Sequence, residues 1–360
     1  NQQGIDFYSR LVDALLEKRI IPFVTLYHWD LPQALEDKGG WTVRQIVDAF
    51  IEYTDVVTCS FGDRVKQWIT LNEPNVFCFS GYYKGRHAPG RTSLKDALQA
   101  THHALLAHGS AVNVIRENCP DAQAGIVLSL GMAYPLSDSK ADQQAAQRCD
   151  GYHNRWFADP VFGRGYPADM VDWYGNKSPD IKQGDLETIA TPVDFLGINA
   201  YCPDYVQADE TSVFGFSVLT GDKDALNRRG VESTILGWPI MPDALTAILV
   251  RIYARYKPRA IYITENGIAS DDRLVDGGVH DPGRINYLDS HIDAVLQAID
   301  QGVPVEGYFV WSFMDNFEWA QGLSIRFGLV YINYENRQRR IRKSSFSWYK
   351  HLIQLRTGQY

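Results

Sequence analysis

Two glutamates, Glu73 and Glu265, have the sequence setting in which carboxylates carry out acid–base chemistry. Each lies in a short polar string, TLNEPN (residues 70–75) and TENG (residues 264–267), directly after an apolar run. A glutamate at the carboxyl end of a buried parallel strand is partly desolvated yet open to a ligand, which is where barrel enzymes keep their chemistry. Two unrelated surface glutamates are the alternative, and the matched setting of the pair argues against it.

The other strand-like runs also end in polar and aromatic side chains. The strand-end set comprises His28, Trp29 and Asp30, Asn72 with Glu73, Asn199 and Tyr201, Glu265 and Asn266, and Trp311 followed by DNFEW (residues 315–319). Amides and carboxylates suit hydroxyl groups, and indoles suit the flat face of a ring, so the set indicates a sugar site. Metal ligation by His28, Glu73 and Glu265 is the alternative, but no HExxH or similar clustered spacing supports it, and no metal is predicted.

Six apolar runs must position these residues, and longer amphipathic segments separate them. The runs predict six buried parallel strands over residues 20–27, 65–71, 124–130, 193–199, 260–264 and 305–311. Helices are predicted over residues 5–19, 43–61 behind Thr42, 94–116 behind Ser93 with Asp96 in the capping-box position, 244–256 after Pro242, and 285–299.

This alternation indicates an α/β protein with parallel strands, as either an open doubly wound sheet or a closed (β/α)₈ barrel. Polar residues at nearly every strand end favour the barrel, because an open sheet concentrates its ligand at one switch point. Neither GxGxxG nor GxxxxGK[ST] occurs in the expected setting. Six strands do not close an eight-stranded barrel. We therefore expect strands three to eight of the barrel here, in one catalytic domain over residues 1–360 that lacks two N-terminal βα units.

The composition and net charge limit the binding partners and the cellular compartment that we expect for this protein. A net charge of −8 argues against nucleic acid or a membrane surface as the main partner, because both need a cationic face. The five cysteines are widely spaced, without a CxxC pair, and indicate free thiols in a reducing, cytoplasmic compartment. Because two strands are expected before Asn1, a signal peptide further upstream stays open. A missing N-terminal piece of the same barrel is the one macromolecular partner expected.

Several strings resemble the signatures of glycoside hydrolase family 1, the β-glucosidase family. They are LYHWDLP (residues 26–32), TLNEPN, DFLGINAY (residues 194–201), ITENG (residues 263–267) and WSFMDNFEWAQGLSIRFGLVY (residues 311–331). HAPG (residues 87–90) and HDPGRINYL (residues 280–288) agree in order and spacing. The resemblance covers essentially the whole chain.

This resemblance implies a (β/α)₈ barrel and a retaining exo-β-glycosidase that needs no cofactor. The enzyme is expected to hydrolyse terminal β-D-glucosides, with β-galactosides and β-fucosides as further substrates. A sugar-binding or ligand-binding scaffold with weak or no hydrolysis is the alternative.

The resemblance also implies a role for each site residue. Glycosidic cleavage passes through an oxocarbenium-like state, so one carboxyl must protonate the leaving oxygen while the other attacks the anomeric carbon. By resemblance Glu73 is the acid/base, protonated at rest, and Glu265 is the ionised nucleophile. The remaining roles are Tyr201 as the hydroxyl partner of Glu265, Asn72 on the sugar 2-hydroxyl, Asn199 near the pocket, His28 and Trp29 on the 3-hydroxyl, Glu318 and Trp319 on the 4- and 6-hydroxyls, Trp311 as the stacking floor and Phe327 nearby.

Two positions depart from the family pattern. Asn75 follows the NEP motif where the family commonly has a bulky aromatic residue, and Ala200 stands where a second tyrosine is usual. The smaller side chain at Asn75 predicts space beside the strand that carries Glu73. We expect this space to suit a planar apolar ligand such as haem, for which the sequence identifies no axial ligand.

Overall fold

The computed structural model describes residues 1–357, in which strands and helices alternate along the chain. The strands are β1 (Phe23–Tyr27), β2 (Gln67–Asn72), β3 (Gln123–Ser129), β4 (Ala133–Pro135), β5 (Phe195–Asn199), β6 (Asp204–Ala208), β7 (Phe216–Val218), β8 (Ile261–Asn266), β9 (Val305–Val310), β10 (Val330–Asn333) and β11 (Arg339–Arg342). The helices are α1 (Gln2–Glu17), α2 (Gln33–Glu36), α3 (Gln45–Phe61), α4 (Pro74–Tyr82), α5 (Leu94–Asn118), α6 (Lys140–Asp150), α7 (Trp156–Val161), α8 (Ala168–Tyr174), α9 (Asp185–Ile189), α10 (Lys223–Arg228), α11 (Pro242–Tyr256), α12 (Pro282–Asp300) and α13 (Ser344–Thr357). None of the described helices is both long enough and apolar enough to cross a membrane.

These elements group into two compact units. The first unit comprises residues 1–129, 151–198 and 258–260, and the second comprises residues 130–150, 199–257 and 261–360. The assignment of residues 1–360 to a single catalytic domain stays a prediction.

The first unit is built on parallel strands backed by the long helix α5. β1 pairs with β2 and β2 with β3, and the register shifts between Ile69 and Asn72, just before the polar NEP string. α5 buries residues on nearly every side, including Leu98, Leu105 and Val112, none of which is exposed. Its Gly109 allows close packing, because a Cβ there would lie 1.8 Å from the carbonyl oxygen of Thr188.

The second unit combines the parallel pair β8 and β9 with two small sheets and the helices α11 and α12. β4, β6 and β7 form one small sheet, and β10 pairs antiparallel with β11. Ile268, Tyr287, Leu288 and Leu329 form a buried apolar cluster. Ile268 of this cluster follows β8, and Val310 at the end of β9 packs against the cluster.

All six predicted strands form, with bounds within three residues of the expectation. The predicted cap of α5 is confirmed, because the Ser93 hydroxyl accepts the Asp96 amide N–H at 3.2 Å. α1 also forms, with Val12 buried, but Phe7 and Leu11 on the same helix are exposed.

Two sequence predictions of local structure are wrong. Thr42 does not cap α3: it belongs to a 3₁₀ turn, and its hydroxyl donates back to the Gly39 carbonyl at 2.7 Å. α3 therefore begins later, at Gln45. β9 is not buried, since Phe309 is 39% exposed; among residues 1–357 this strand pairs on one side only, with β8, and lacks the cover of a second neighbour.

Buried histidines make the fold sensitive to acid. Burial lowers the pKa of His108 on α5 from 6.5 to about 3 and that of His291 on α12 from 6.5 to about 4. Below pH 6.5 the unfolded chain therefore binds protons that the folded chain does not. We expect the unfolding free energy to be fully retained above pH 6.5 and to fall toward pH 4, by about 1.4 kcal/mol per pH unit for each histidine. Denaturant titration at several pH values measures this slope.

His291→Gln should flatten the slope by about one proton. The exposed His351→Gln is the matched control, because it removes a histidine without opening a buried position. An unchanged slope in His291→Gln would contradict the assignment of the acid sensitivity to this residue.

Candidate active site

In the first unit, three predicted site residues meet at the ends of β1 and β2. The Trp29 indole N–H donates to the Asn72 carbonyl at 2.8 Å, and the Asn72 side-chain amide lies 3.2 Å from His28 Nε2. Trp29 has a left-handed backbone, with φ at 83°, which an L-residue adopts only where its surroundings enforce it. The indole N–H is engaged by a backbone carbonyl here, so Trp29 offers its ring and His28 offers its imidazole to a ligand.

His28 is held in its neutral form. Burial lowers its pKa from 6.5 to about 4, although the nearby Asp30 carboxylate opposes the shift. At neutral pH, Nε2 can therefore accept the Asn72 amide, which leaves the proton on Nδ1.

Glu73 occupies the turn between β2 and α4. It is 6% exposed and has a left-handed backbone, with φ 48° and ψ 61°. Its N–H donates to the Val127 carbonyl of β3 at 2.9 Å, and its carbonyl accepts from Val76 and Phe77 in the first turn of α4. Pro74 supplies the first helical residue, and the Glu73 side chain makes no capping bond to α4. The left-handed backbone of Glu73 therefore sets the direction of its side chain, and the carboxylate does not cap the N-terminus of α4.

Asn75, in the first turn of α4, is buried and bonded to neighbouring backbone. Its Nδ2 donates to the carbonyls of Ser129 at 2.7 Å and His153 at 3.4 Å, and its Oδ1 accepts the Ser129 N–H at 3.4 Å. The position that departs from the family pattern is therefore occupied by a hydrogen-bonded amide.

In the second unit, Glu265 lies near the end of β8 and is 9% exposed. The Tyr201 hydroxyl donates to its Oε2 at 2.7 Å, and its backbone carbonyl accepts the Ala200 N–H at 3.0 Å. A hydroxyl donated to a carboxylate stabilises the ionised form of the carboxylate. The predicted partnership between Tyr201 and Glu265 is thus present in the geometry.

Asn266, next to Glu265, holds this region together. Its Nδ2 donates to the Ala200 carbonyl at 2.6 Å and to the Tyr287 hydroxyl at 3.2 Å, and its Oδ1 accepts the Tyr308 hydroxyl at 2.5 Å. Tyr287 in turn donates to the Tyr201 carbonyl. Asn266 belongs to the strand-end set, but its role does not follow from the sequence, because its partners are distant in the chain.

Asn199, the last residue of β5, is fully buried. Its Oδ1 accepts the Thr264 hydroxyl at 2.6 Å, one residue before Glu265.

Aromatic rings surround the hydroxyl donor of Glu265. The ring of Tyr201 lies 5.2 Å from that of Trp238 and 6.2 Å from that of Phe327, and the Trp238 and Phe327 rings are 6.1 Å apart. The sequence resemblance places Phe327 near the site but does not identify Trp238. Its only sequence signal was a tryptophan in a Gly–Pro loop, between Gly237 and Pro239.

Glu318 and Trp311 form a pair in the loop after β9. Burial raises the pKa of Glu318, and a hydrogen bond with the Trp311 side chain partly offsets this rise. Trp319 follows with a left-handed backbone, φ 43°, and opens a 3₁₀ turn (Trp319–Gln321) that closes through the Glu318 N–H and the Gly322 carbonyl at 2.8 Å.

A buried ionic network anchors this loop. Its members are Asp272, Asp281 and Asp315 with Arg284, Arg326 and Lys343. Lys343 Nζ bridges two of the carboxylates, at 2.5 Å from Asp272 and 2.8 Å from Asp315. Asp315 also accepts the Gly328 N–H at 3.0 Å, a contact that needs glycine because a Cβ at Gly328 would lie 2.1 Å from the Asp315 nitrogen.

No group of three or more His, Cys, Asp or Glu within residues 1–357 is arranged to hold a metal ion.

Buried carboxylates, amides and indoles at the carboxyl ends of parallel strands are the donor set of a carbohydrate-active α/β enzyme. The chain belongs to glycosyl hydrolase family 1, whose family model matches residues 1–357.

Characterised relatives agree with this assignment. The chain is 44% identical over 355 residues to a 1,4-beta-D-glucan glucohydrolase of Thermotoga neapolitana, covering 98% of this chain and 78% of that protein. It is 40% identical over 375 residues to a bifunctional beta-D-glucosidase/beta-D-fucosidase of Bifidobacterium breve, covering 98% and 79%. A Thermotoga maritima family 1 glycoside hydrolase, solved with a cyclophellitol analogue transition state mimic, superposes with a TM-score of 0.93 at 43% identity, covering 98% and 78%.

The family match confirms both the predicted fold class and the predicted enzyme class. The fold is a (β/α)₈ barrel, of which strands three to eight are represented in this chain. The protein is a retaining glycoside hydrolase of the β-glucosidase type, a class that works without a cofactor and takes a small glycoside as substrate.

Removing one member of the buried network should destabilise the second unit. Lys343 is 1% exposed and lies between two carboxylates, so Lys343→Met leaves buried negative charge uncompensated. We expect the unfolding free energy to fall by about 3 to 5 kcal/mol, measured by denaturant titration.

Arg273→Met is the control, because Arg273 pairs with Asp271 on the surface, where both side chains are more than two-thirds exposed. We expect no measurable change in that variant. Equal losses in the two variants would show that the buried network does not carry the stability assigned to it.

Proposed function

We propose that this glycoside hydrolase acts on terminal β-D-glucosides by double displacement, with Glu265 as the nucleophile and Glu73 as the acid/base. β-Galactosides and β-fucosides are proposed as further substrates. The hydrogen bond from the Tyr201 hydroxyl to Glu265 Oε2 at 2.7 Å carries the proposal, because a nucleophilic carboxylate must be ionised and oriented while it is nearly buried.

In the first step a Glu265 oxygen attacks the anomeric carbon as the glycosidic bond breaks. The leaving oxygen takes the proton of Glu73, so the aglycone departs as an alcohol and the sugar remains as an ester of Glu265. In the second step water attacks the anomeric carbon, gives its proton to the Glu73 carboxylate and releases Glu265. Two inversions at the same carbon give net retention.

The strand-end residues supply sugar contacts in this proposal. Asn72 serves the 2-hydroxyl, neutral His28 the 3-hydroxyl, and Glu318 with Trp319 the 4- and 6-hydroxyls. Trp311 is the proposed ring platform. Its hydrogen bond with Glu318 supports a shared role, because one contact orients both the indole and the carboxylate.

We propose that three further residues support the side chains that make these contacts: Trp29, Asn199 and Phe327. The Trp29 indole N–H is bonded to the Asn72 carbonyl, so Trp29 orients Asn72 and presents its ring toward the 3-hydroxyl region. Asn199 accepts from Thr264, and Phe327 packs near Tyr201, so each supports one neighbour of Glu265.

Azide rescue tests the two carboxylate roles. In Glu265→Gly, azide should attack the anomeric carbon of a nitrophenyl β-glucoside directly, giving the α-glucosyl azide. In Glu73→Ala, Glu265 still forms the ester from the activated substrate, and azide should then give the β-glucosyl azide. Product configuration by NMR distinguishes the two cases.

Each substitution should lower hydrolysis by at least about 100-fold without azide. Swapped azide products would exchange the roles, and equal hydrolysis by all three proteins would remove both residues from the mechanism. The latter result would support the sugar-binding scaffold.

Glu318 provides a test of sugar selectivity. Because a hydrogen bond to a charged acceptor is worth about 1.5 to 3 kcal/mol, Glu318→Gln should lower kcat/KM for a nitrophenyl β-glucoside by about 10-fold to 100-fold. The matching β-xyloside lacks the 6-hydroxyl and should lose less. The exposed Glu335→Gln is the control. Equal losses on both substrates would remove Glu318 from recognition of the 6-hydroxyl.

Other expectations also stay proposals. We propose that residues 1–360 act as one catalytic domain, without a nucleic acid or membrane partner, in the cytoplasm. Five free cysteines and the net charge of −8 support this, and cell fractionation tests the location.

Haem binding beside Asn75 stays a prediction, and its support is weakened by the hydrogen bonds of that side chain. Purified protein without a visible absorption band would contradict it.

A further inference from the structure

Asn75 ties the turn that carries Glu73 to two other segments of the first unit. Its amide pairs with both backbone groups of Ser129 at the end of β3 and also donates to the His153 carbonyl. The side chain is 6% exposed, and both its donor and its acceptor are engaged. It therefore acts as a short cross-link between α4, β3 and the π-helical turn Gly151–Arg155.

The turn needs such a cross-link, because Glu73 has a left-handed backbone that costs an L-residue about 1 to 2 kcal/mol. On one side of the strained residue, the Glu73 N–H bonds to Val127 of β3. On the other side, Pro74 has no N–H to donate, so the next possible anchor to β3 is Asn75. The Val127 and Ser129 bonds thus bracket Glu73 on the same strand.

We propose that Asn75 is a positioning residue for the acid/base, and that its pairing with Ser129 sets where the Glu73 carboxyl points. This inference rests on the proposed role of Glu73. Asn75 itself touches neither sugar nor aglycone in this proposal. Its contribution is to keep the proton donor aligned with the leaving oxygen, where a displacement of about 1 Å can cost about 100-fold in rate.

A loss of positioning has a signature that a loss of stability lacks. Dinitrophenolate leaves without a proton, so its glucoside does not need the acid. Methanol needs the proton, so methyl β-glucoside depends on the acid fully. The ratio of kcat/KM for these two substrates, measured on one preparation, is independent of how much of the protein is folded.

The experiment compares Asn75→Leu and Asn75→Ser with the parent. Leucine keeps the number and branching of the side-chain heavy atoms of asparagine and removes all three hydrogen bonds, while serine is too short to span to Ser129. We expect little change with dinitrophenyl β-glucoside and a loss of about tenfold or more with methyl β-glucoside in both variants. The ratio also remains measurable if one variant folds poorly.

Asn118→Leu is the matched control. Asn118 donates two side-chain hydrogen bonds, to Asp55 at 2.8 Å and Thr58 at 2.9 Å, in the same unit but at the far end of α5. Its substrate ratio should equal that of the parent. Equal losses on both substrates in the Asn75 variants, or no loss, would overturn the positioning role.

Glu73→Ala separates this inference from the proposed function. If Glu73→Ala discriminates between the two substrates and the Asn75 variants do not, only the positioning role fails. If Glu73→Ala itself fails to discriminate, the acid/base assignment fails, and the positioning role fails with it.

Discussion

Buried asparagine amides link the carboxyl ends of the strands, and the placement of the site residues depends on them. The pairs are Asn72 with His28, Asn75 with Ser129, Asn199 with Thr264, and Asn266 with Ala200. These four asparagines are at most 6% exposed. A buried amide without partners costs about 1 to 3 kcal/mol, so each amide specifies the position of its neighbour as strictly as a ladder hydrogen bond does. Asn72, Asn199 and Asn266 are the last residues of β2, β5 and β8, so their side chains add contacts where these strands end.

Backbone strain accompanies this side-chain pairing. Trp29, Glu73 and Trp319 all have positive φ angles, at 83°, 48° and 43°. Conformations of this kind persist only when surrounding contacts over-determine them, and they cluster at functional sites. Each of the three residues follows a strand or opens a turn, so the reversal of chain direction and the presentation of a side chain are achieved by the same residue.

The second unit buries charge in two different ways. Asp315, at the start of the DNFEW loop, is held by Arg326 and Lys343, and a matching number of buried cations and carboxylates keeps the network neutral. At Glu265 the Tyr201 hydroxyl donates to the carboxylate. Charge that supports the loop is neutralised by opposite charge, whereas the carboxylate of the proposed nucleophile receives a neutral hydroxyl donor.

The sequence by itself determined the order of strands and helices, the motif residues and, through them, the family. Apolar periodicity and strand-end polarity are local properties, so the six strands, the Ser93 cap and the strand-end positions of Glu73 and Glu265 were predictable. Thr42 was mistaken for a cap because a 3₁₀ turn and a helix start share the same local signal. Only the tertiary structure decided that Asn75 pairs with Ser129, that Trp238 packs against Tyr201, and that Lys343 bridges Asp272 and Asp315. These partners lie 28 to 71 residues apart in the chain. A buried polar group must find a hydrogen-bond partner, but no local pattern identifies which distant residue that partner is.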